Sequence, residues 1–154
     1  MKPFLSFVFF LILTTSIFSQ SKNAKTVMDN YAAFGRGDIP AILATFAPDC
    51  VWIHPGNPDI IPFAGTFRGA EEIKEKFFGV IPTVVQLIEF VPSIVGEESN
   101  TVIASIHIKG KVLTTGKAYE STGEMRWTLN DAGLVTEHKA IVDVSSLEAA
   151  FTPN

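Results

Sequence analysis

The chain has one cysteine, Cys50, in 154 residues. No internal disulfide is open to it, so burial alone must hold the fold. Cys50 lies between Asp49 and Val51 at the start of an apolar strand and reads as a small buried hydrophobe. Basic clusters are lacking too. Twelve Lys and Arg stand against sixteen Asp and Glu, a net charge of −4. That balance argues against nucleic-acid binding. No apolar run reaches the ~20 residues that a membrane-spanning helix needs. There is no G-x-S-x-G elbow, no P-loop and no dinucleotide fingerprint. The three histidines, His54, His107 and His138, are spaced like no zinc motif, so no metal and no cofactor is expected.

The opening residues carry a signal of their own. Met1-Lys2-Pro3 is followed by an apolar run from Phe4 to Leu13, then by Thr14, Thr15, Ser16 and Ser19. A basic start, a short apolar stretch and small residues make a secretory signal peptide. Cleavage is expected after Ser19 or Gln20, leaving residues 21–154 as one exported domain, periplasmic or extracellular. No cysteine follows the run to carry a lipid anchor, and no membrane attachment is expected after cleavage. Only Lys2 is lost from the charge balance, so the mature chain is slightly more acidic.

Three helical segments come first. Val27, Met28, Tyr31 and Phe34 recur at helical spacing, and Gly35-Arg36-Gly37 ends that helix. Asp38 and Pro40 open a second one, with Ile39, Ile42, Leu43 and Phe46 as its apolar face and Pro48-Asp49 as its end. Cys50–His54 is a strand, with Trp52 and His54 on one face. Pro55 to Asp59 is a loop. Glu71-Glu72 start a third helix that presents Ile73 and Phe77. The remainder reads as strands over Val84–Val95, Thr101–Leu113, Lys117–Leu129 and Leu134–Val144, with hairpin turns at Thr114-Thr115-Gly116 and Asn130 to Gly133. A last helical turn spans Ser145–Phe151. Helices followed by an antiparallel meander make an α+β fold.

The faces of the last two strands decide where the site lies. Met125, Trp127 and Leu129 share one face of their strand, and Leu134, Thr136, His138, Ala140 and Val142 share one face of the next. Both sets are the more apolar and should point inward. His138 then lies beside Trp127 inside an apolar concavity. By the same rule His107, with Ser105 and Lys109, points outward, and so does Asp143.

The order of these motifs resembles the nuclear transport factor 2-like superfamily, in its ketosteroid isomerase and SnoaL-like polyketide cyclase branch. The residues that carry the resemblance are Tyr31 to Ile39, Ile42 to Asp49, Val51 to Gly56, Phe67-Arg68-Gly69 and Trp127 to Val135. The resemblance implies a cystatin-like α+β roll: a curved antiparallel sheet forming a cone wrapped around the N-terminal helices, with a deep pocket in its mouth. It also implies a homodimer through the outer sheet face. In ketosteroid isomerase an Asp base works with an oxyanion hole of a Tyr and a protonated Asp. The resemblance lays the base position on His54, just before Pro55, the Tyr position on Asn30 and the protonated-Asp position on Met125. None of the three isomerase residues is retained.

The expected catalytic set is therefore His54 as general base, assisted by His138 and by the Asn30 amide. His138 and Asn30 each have a second reading, as a satisfied core histidine and as a structural cap. Tyr31, Trp52, Phe63, Phe67, Met125 and Trp127 are the expected substrate contacts, as pocket wall or as core. Two functions follow. One is a cofactor-free isomerase, lyase or cyclase acting on a small apolar carbonyl compound. The other is a non-catalytic module that binds a small apolar ligand, or a dimeric accessory domain.

Overall fold

The computed structural model describes residues 21–153, so the expected signal peptide lies outside the described residues. Ser21 opens the first helix, α1 (Lys22–Gly35), by accepting from the Ala24 N–H at 2.9 Å. Its buried stripe is Ala24, Val27, Asn30 and Tyr31. Asp38 caps α2 (Ile39–Leu43) through its Oδ1 and the Ala41 N–H. Phe46 does not extend this helix as expected. It starts β1 (Phe46–His54), which runs through Pro48-Asp49 with a break in register between Phe46 and Val51. Proline has no N–H to give a ladder, and the irregular stretch accommodates it.

A short β2 (Gly65–Arg68) pairs with β1 where the sequence offered only a connection. Helix α3 (Gly69–Ile73) continues as a wider π-turn over Lys74–Phe78. That turn lets two consecutive rings, Phe77 and Phe78, both be buried. After α4 (Ile81–Val84) come the long strands β3 (Val85–Glu98), β4 (Thr101–Val112), β5 (Ala118–Leu129) and β6 (Val135–Val142). Helix α5 (Ser145–Phe151) buries Leu147 and Ala150.

The six strands form one curved, unclosed sheet in the order β2-β1-β6-β5-β4-β3. The fold is α+β, as the pattern of elements predicted. One pairing departs from an all-antiparallel sheet: β1 and β6 are parallel, with Trp52 opposite His138. The face assignment holds for Met125, Trp127, Leu129, His138 and Ala140, all buried. It fails at Val135, expected outward and found fully buried. The cause is a bulge: Thr128 pairs with Glu137 and Leu129 with Val135, so Thr136 has no partner and the alternation shifts by one.

The outer face carries polar pairs. His107 points outward as expected, with Nδ1 2.9 Å from Glu89 and Nε2 2.5 Å from Glu120. Arg126 reaches Glu98 and Glu124. Asp143 is exposed and its Oδ1 accepts from the Ser145 N–H at 2.9 Å. Strand β3 is an edge, and Ile88, Val91 and Val95 on it are exposed. No helix among the described residues is long and apolar enough to cross a membrane.

Gly123 lies in β5 opposite Val142. Its φ is +155°, and a Cβ there would sit 2.2 Å from the Ile141 carbonyl oxygen and 2.7 Å from the Val142 Cα. Both obstacles are backbone. Gly123→Ala should therefore lower unfolding stability by more than about 2 kcal/mol in urea titration. Gly35→Ala has nothing within 4 Å of the new methyl and ordinary φ. It should be neutral or stabilise by up to about 1 kcal/mol.

Candidate functional site

The concave side of the sheet, α1, the π-turn and α5 enclose a cavity of about 80 Å³. Its floor is Trp52, Trp127 and His138, and its walls include Phe63, Phe77, Phe78, Tyr119 and Leu147. Half-buried Phe34, Ile81, Leu87, Phe90, Ile108 and Val142 form its rim. Among the described residues, no Asp, Glu, Lys or Arg lines it. An apolar cavity of about 150 Å³ is enough for benzene. A one-ring ligand here already needs the rim side chains to give, and a fused four-ring skeleton does not fit as the walls stand.

His54 ends β1 on the same face as Trp52. Its ring sits edge-on to Phe63 at 5.1 Å and near Phe77 at 5.8 Å. Its Nδ1 lies 2.8 Å from the Pro55 carbonyl oxygen. A carbonyl can only accept, so Nδ1 carries the proton and Nε2 carries the lone pair. Nε2 makes no hydrogen bond among the described residues. Burial pushes the His54 pKa down to about 4, against the opposing pull of the Pro55 carbonyl. The ring is thus a neutral acceptor across the physiological range.

His138 is fully buried. Its ring stacks on Trp52 at 3.7 Å and 14° and meets Trp127 edge-on at 4.6 Å. Both ring nitrogens lack a hydrogen-bond partner among the described residues. Burial, reinforced by the charge His54 would carry, pushes its pKa down to about 3. His138 therefore belongs to the aromatic floor as a neutral ring.

Tyr31 reaches over the floor from α1. Its hydroxyl oxygen accepts from Trp127 Nε1 at 2.8 Å, and its own proton points to Met125 Sδ at 3.7 Å. Sulfur is a weak acceptor, so that proton remains available to a better one. Burial raises the Tyr31 pKa and keeps the phenol protonated.

Asn30 lies against the cavity, but its amide is occupied. Nδ2 donates to the Thr26 carbonyl at 3.0 Å and to Thr45 Oγ1 at 3.1 Å, and Oδ1 faces the Thr45 hydroxyl at 3.2 Å. It ties α1 to the start of β1, which is its structural reading. Phe67 is buried beside Phe77 at 6.2 Å and does not line the cavity. Trp52, Phe63, Met125 and Trp127 do. Sequence reasoning missed Phe78, Phe90, Tyr119, Ser121 and Leu147. Phe78 depends on the π-turn and Leu147 on the packing of α5, neither of which has a local signature. Tyr119 and Ser121 were open to the alternation argument, since they share the inward face of β5. Burial pushes the Cys50 thiol up to about 12 and removes it from nucleophilic chemistry.

A SnoaL-like domain model matches residues 27–138. No curated protein matches the chain by sequence. Among solved structures, a nuclear transport factor 2-like protein of Burkholderia xenovorans is 28% identical, with a TM-score of 0.76, over 87% of this chain and 98% of its own. A similar protein of Burkholderia pseudomallei shares the fold at 24% identity and a TM-score of 0.77, over 86% of this chain and 98% of its own. TerC, crystallised with polyporic acid, is 28% identical with a TM-score of 0.71, over 85% of this chain and 98% of its own.

The two inward histidines set an acid limit on the fold. Unfolded histidine takes up its proton near pH 6.5, whereas His54 and His138 do so only near 4 and 3. Their contribution is whole above pH 6.5 and is lost as the pH falls toward those values. Each histidine should cost about 2 kcal/mol of stability by pH 5. Urea titrations at pH 7.5 and 5 check this. His138→Phe should be at least as stable at pH 7.5, because it removes unpartnered polar atoms, and should lose part of the acid dependence.

Proposed function

The chain belongs to the SnoaL-like domain family, and on that footing we propose that its cone takes a small neutral carbonyl compound and moves a proton on it without a cofactor, as an isomerase, lyase or cyclase does. The observation that supports this reading is His54. Its Nδ1 is committed to the Pro55 carbonyl, which leaves the Nε2 lone pair at the wall of a cavity free of charged side chains.

In this reading Nε2 takes a proton from the carbon next to the carbonyl, and the electron pair moves onto the carbonyl oxygen. The Tyr31 hydroxyl, already accepting from Trp127, donates to that oxygen. The imidazolium formed has no carboxylate among the lining residues, so the enolate is its only counter-charge. In low-dielectric surroundings that attraction is strong and holds the pair together until carbon is reprotonated, by the same proton or by one the imidazolium has exchanged with solvent. The aromatic floor excludes water and orients a flat substrate. Tyr31 thus takes the part first assigned to the Asn30 amide.

A second reading, a binding module without turnover, draws support from the low basicity of His54. We include in the proposal an exported setting, on the strength of Met1–Gln20, and a homodimer through the outer sheet face, where Val91 and Ile141 are exposed among the ion pairs of His107 and Arg126.

Proton transfer is testable on acetophenone, whose methyl protons exchange in D2O and are followed by NMR. The protein should speed this exchange above buffer, and His54→Ala should return it to background with its circular dichroism unchanged. The rate should be flat between pH 6 and 8, where an unperturbed histidine would titrate. Equal exchange with the wild type and His54→Ala would remove His54 from the mechanism, while tight binding without exchange would select the second reading.

A further inference from the structure

His54 and Tyr31 present opposite hydrogen-bonding faces to the same cavity. His54 Nε2 can only accept, because the Pro55 carbonyl holds the proton on Nδ1. Tyr31 offers a proton, because its oxygen is filled by the Trp127 N–H and its own hydrogen meets only the Met125 sulfur. The sheet also places His54 relative to Met125, the residue that the Tyr31 hydroxyl meets. Trp52 pairs with His138 in the parallel β1–β6 ladder, and Met125 pairs with Ala140 in the β6–β5 ladder. His54, Ala140 and Met125 therefore follow one another across three adjacent strands. Two strand spacings put the His54 and Met125 backbones about 10 Å apart, and both side chains lean into the concave face. The cavity between them, at about 80 Å³, takes at most one ring, and that only as its rim side chains give. No charged side chain stands in the wall to meet a charged ligand.

From this geometry we infer that the cavity selects a neutral, flat, one-ring hydroxy-carbonyl compound, its hydroxyl donating to His54 Nε2 and its carbonyl accepting from Tyr31. The inference rests on the reading of the cavity as a ligand site, and it does not depend on turnover. A ligand with the hydroxyl replaced by a methyl group fills the same volume and leaves the buried acceptor on His54 unpaired, which is costly. A carboxylate in place of the carbonyl brings a charge that the apolar wall cannot compensate.

Three probes separate these terms: 4-hydroxyacetophenone, 4-methylacetophenone and 4-hydroxybenzoate, each titrated calorimetrically into the wild type and into His54→Phe and Tyr31→Phe. The wild type should bind 4-hydroxyacetophenone about tenfold more tightly than the methyl compound and should not measurably bind the benzoate. His54→Phe should erase or reverse the preference for hydroxyl over methyl. Tyr31→Phe should weaken both ketones alike. Equal affinity of the wild type for the two ketones would overturn the inference and leave the ligand site standing. Binding of the benzoate as tightly as the ketone would overturn the requirement for neutrality. No binding of any of the three would overturn the ligand-site reading and this inference together.

Discussion

Trp52 and His138 lie face to face because β1 and β6 run parallel, and most of the molecule hangs on that one stack. On one side of it stand β1, β2 and α3 with its π-turn, and on the other the long β3–β6 meander. The stack joins the two parts and becomes the floor of the cavity. It works only with a neutral imidazole. A charged ring sealed between two indoles, with neither nitrogen hydrogen-bonded, would carry the full cost of desolvation. The same constraint, a wall without charge, reaches His54. Burial keeps that ring neutral, and the adjacent carbonyl decides which nitrogen holds the lone pair. Chemistry and packing therefore share one requirement, the exclusion of charge from the concave face.

Much of this was legible in the sequence wherever the signal was local. The stripe Val27, Met28, Tyr31 and Phe34 announced α1, and the Asp38-Ile39-Pro40 cap announced α2. The alternation of Met125, Trp127 and Leu129 is enough to place Trp127 beside His138. What failed was non-local or irregular. Nothing near Trp52 says that its partner lies 86 positions on, or that the pairing is parallel. The bulge at Thr136 turned Val135 inward against strict alternation, because one extra residue reverses the faces on its two sides relative to each other. Phe46 fits a helix face and a strand equally well, and the register with Val135 settles it.

The candidate site shows the same division. His54 could be placed by its position before Pro55, yet its tautomer could not, since that depends on the ψ angle that brings the Pro55 oxygen round. Asn30 lies on the buried stripe as expected, but Thr26 and Thr45 claim its amide. Of the groups expected to assist, Asn30 has its amide hydrogen-bonded within the scaffold, and His138 is stacked in the aromatic floor. Tyr31, expected as a wall, presents a hydroxyl that accepts from Trp127 and meets only the Met125 sulfur with its own proton.

The parallel pairing of β1 with β6 also orders events in time. The turns between β3, β4, β5 and β6 are short, and these strands can zip in sequence with little loop entropy to overcome. The join between Trp52 and His138 encloses nearly that whole meander, so it is a contact of high sequence separation and forms after the hairpins. Until it closes, the first strand has only the four-residue β2 to lie against. The cavity has no floor in that interval, and a chain stopped short of its final twenty residues would keep the β3–β4 and β4–β5 hairpins while never acquiring a pocket.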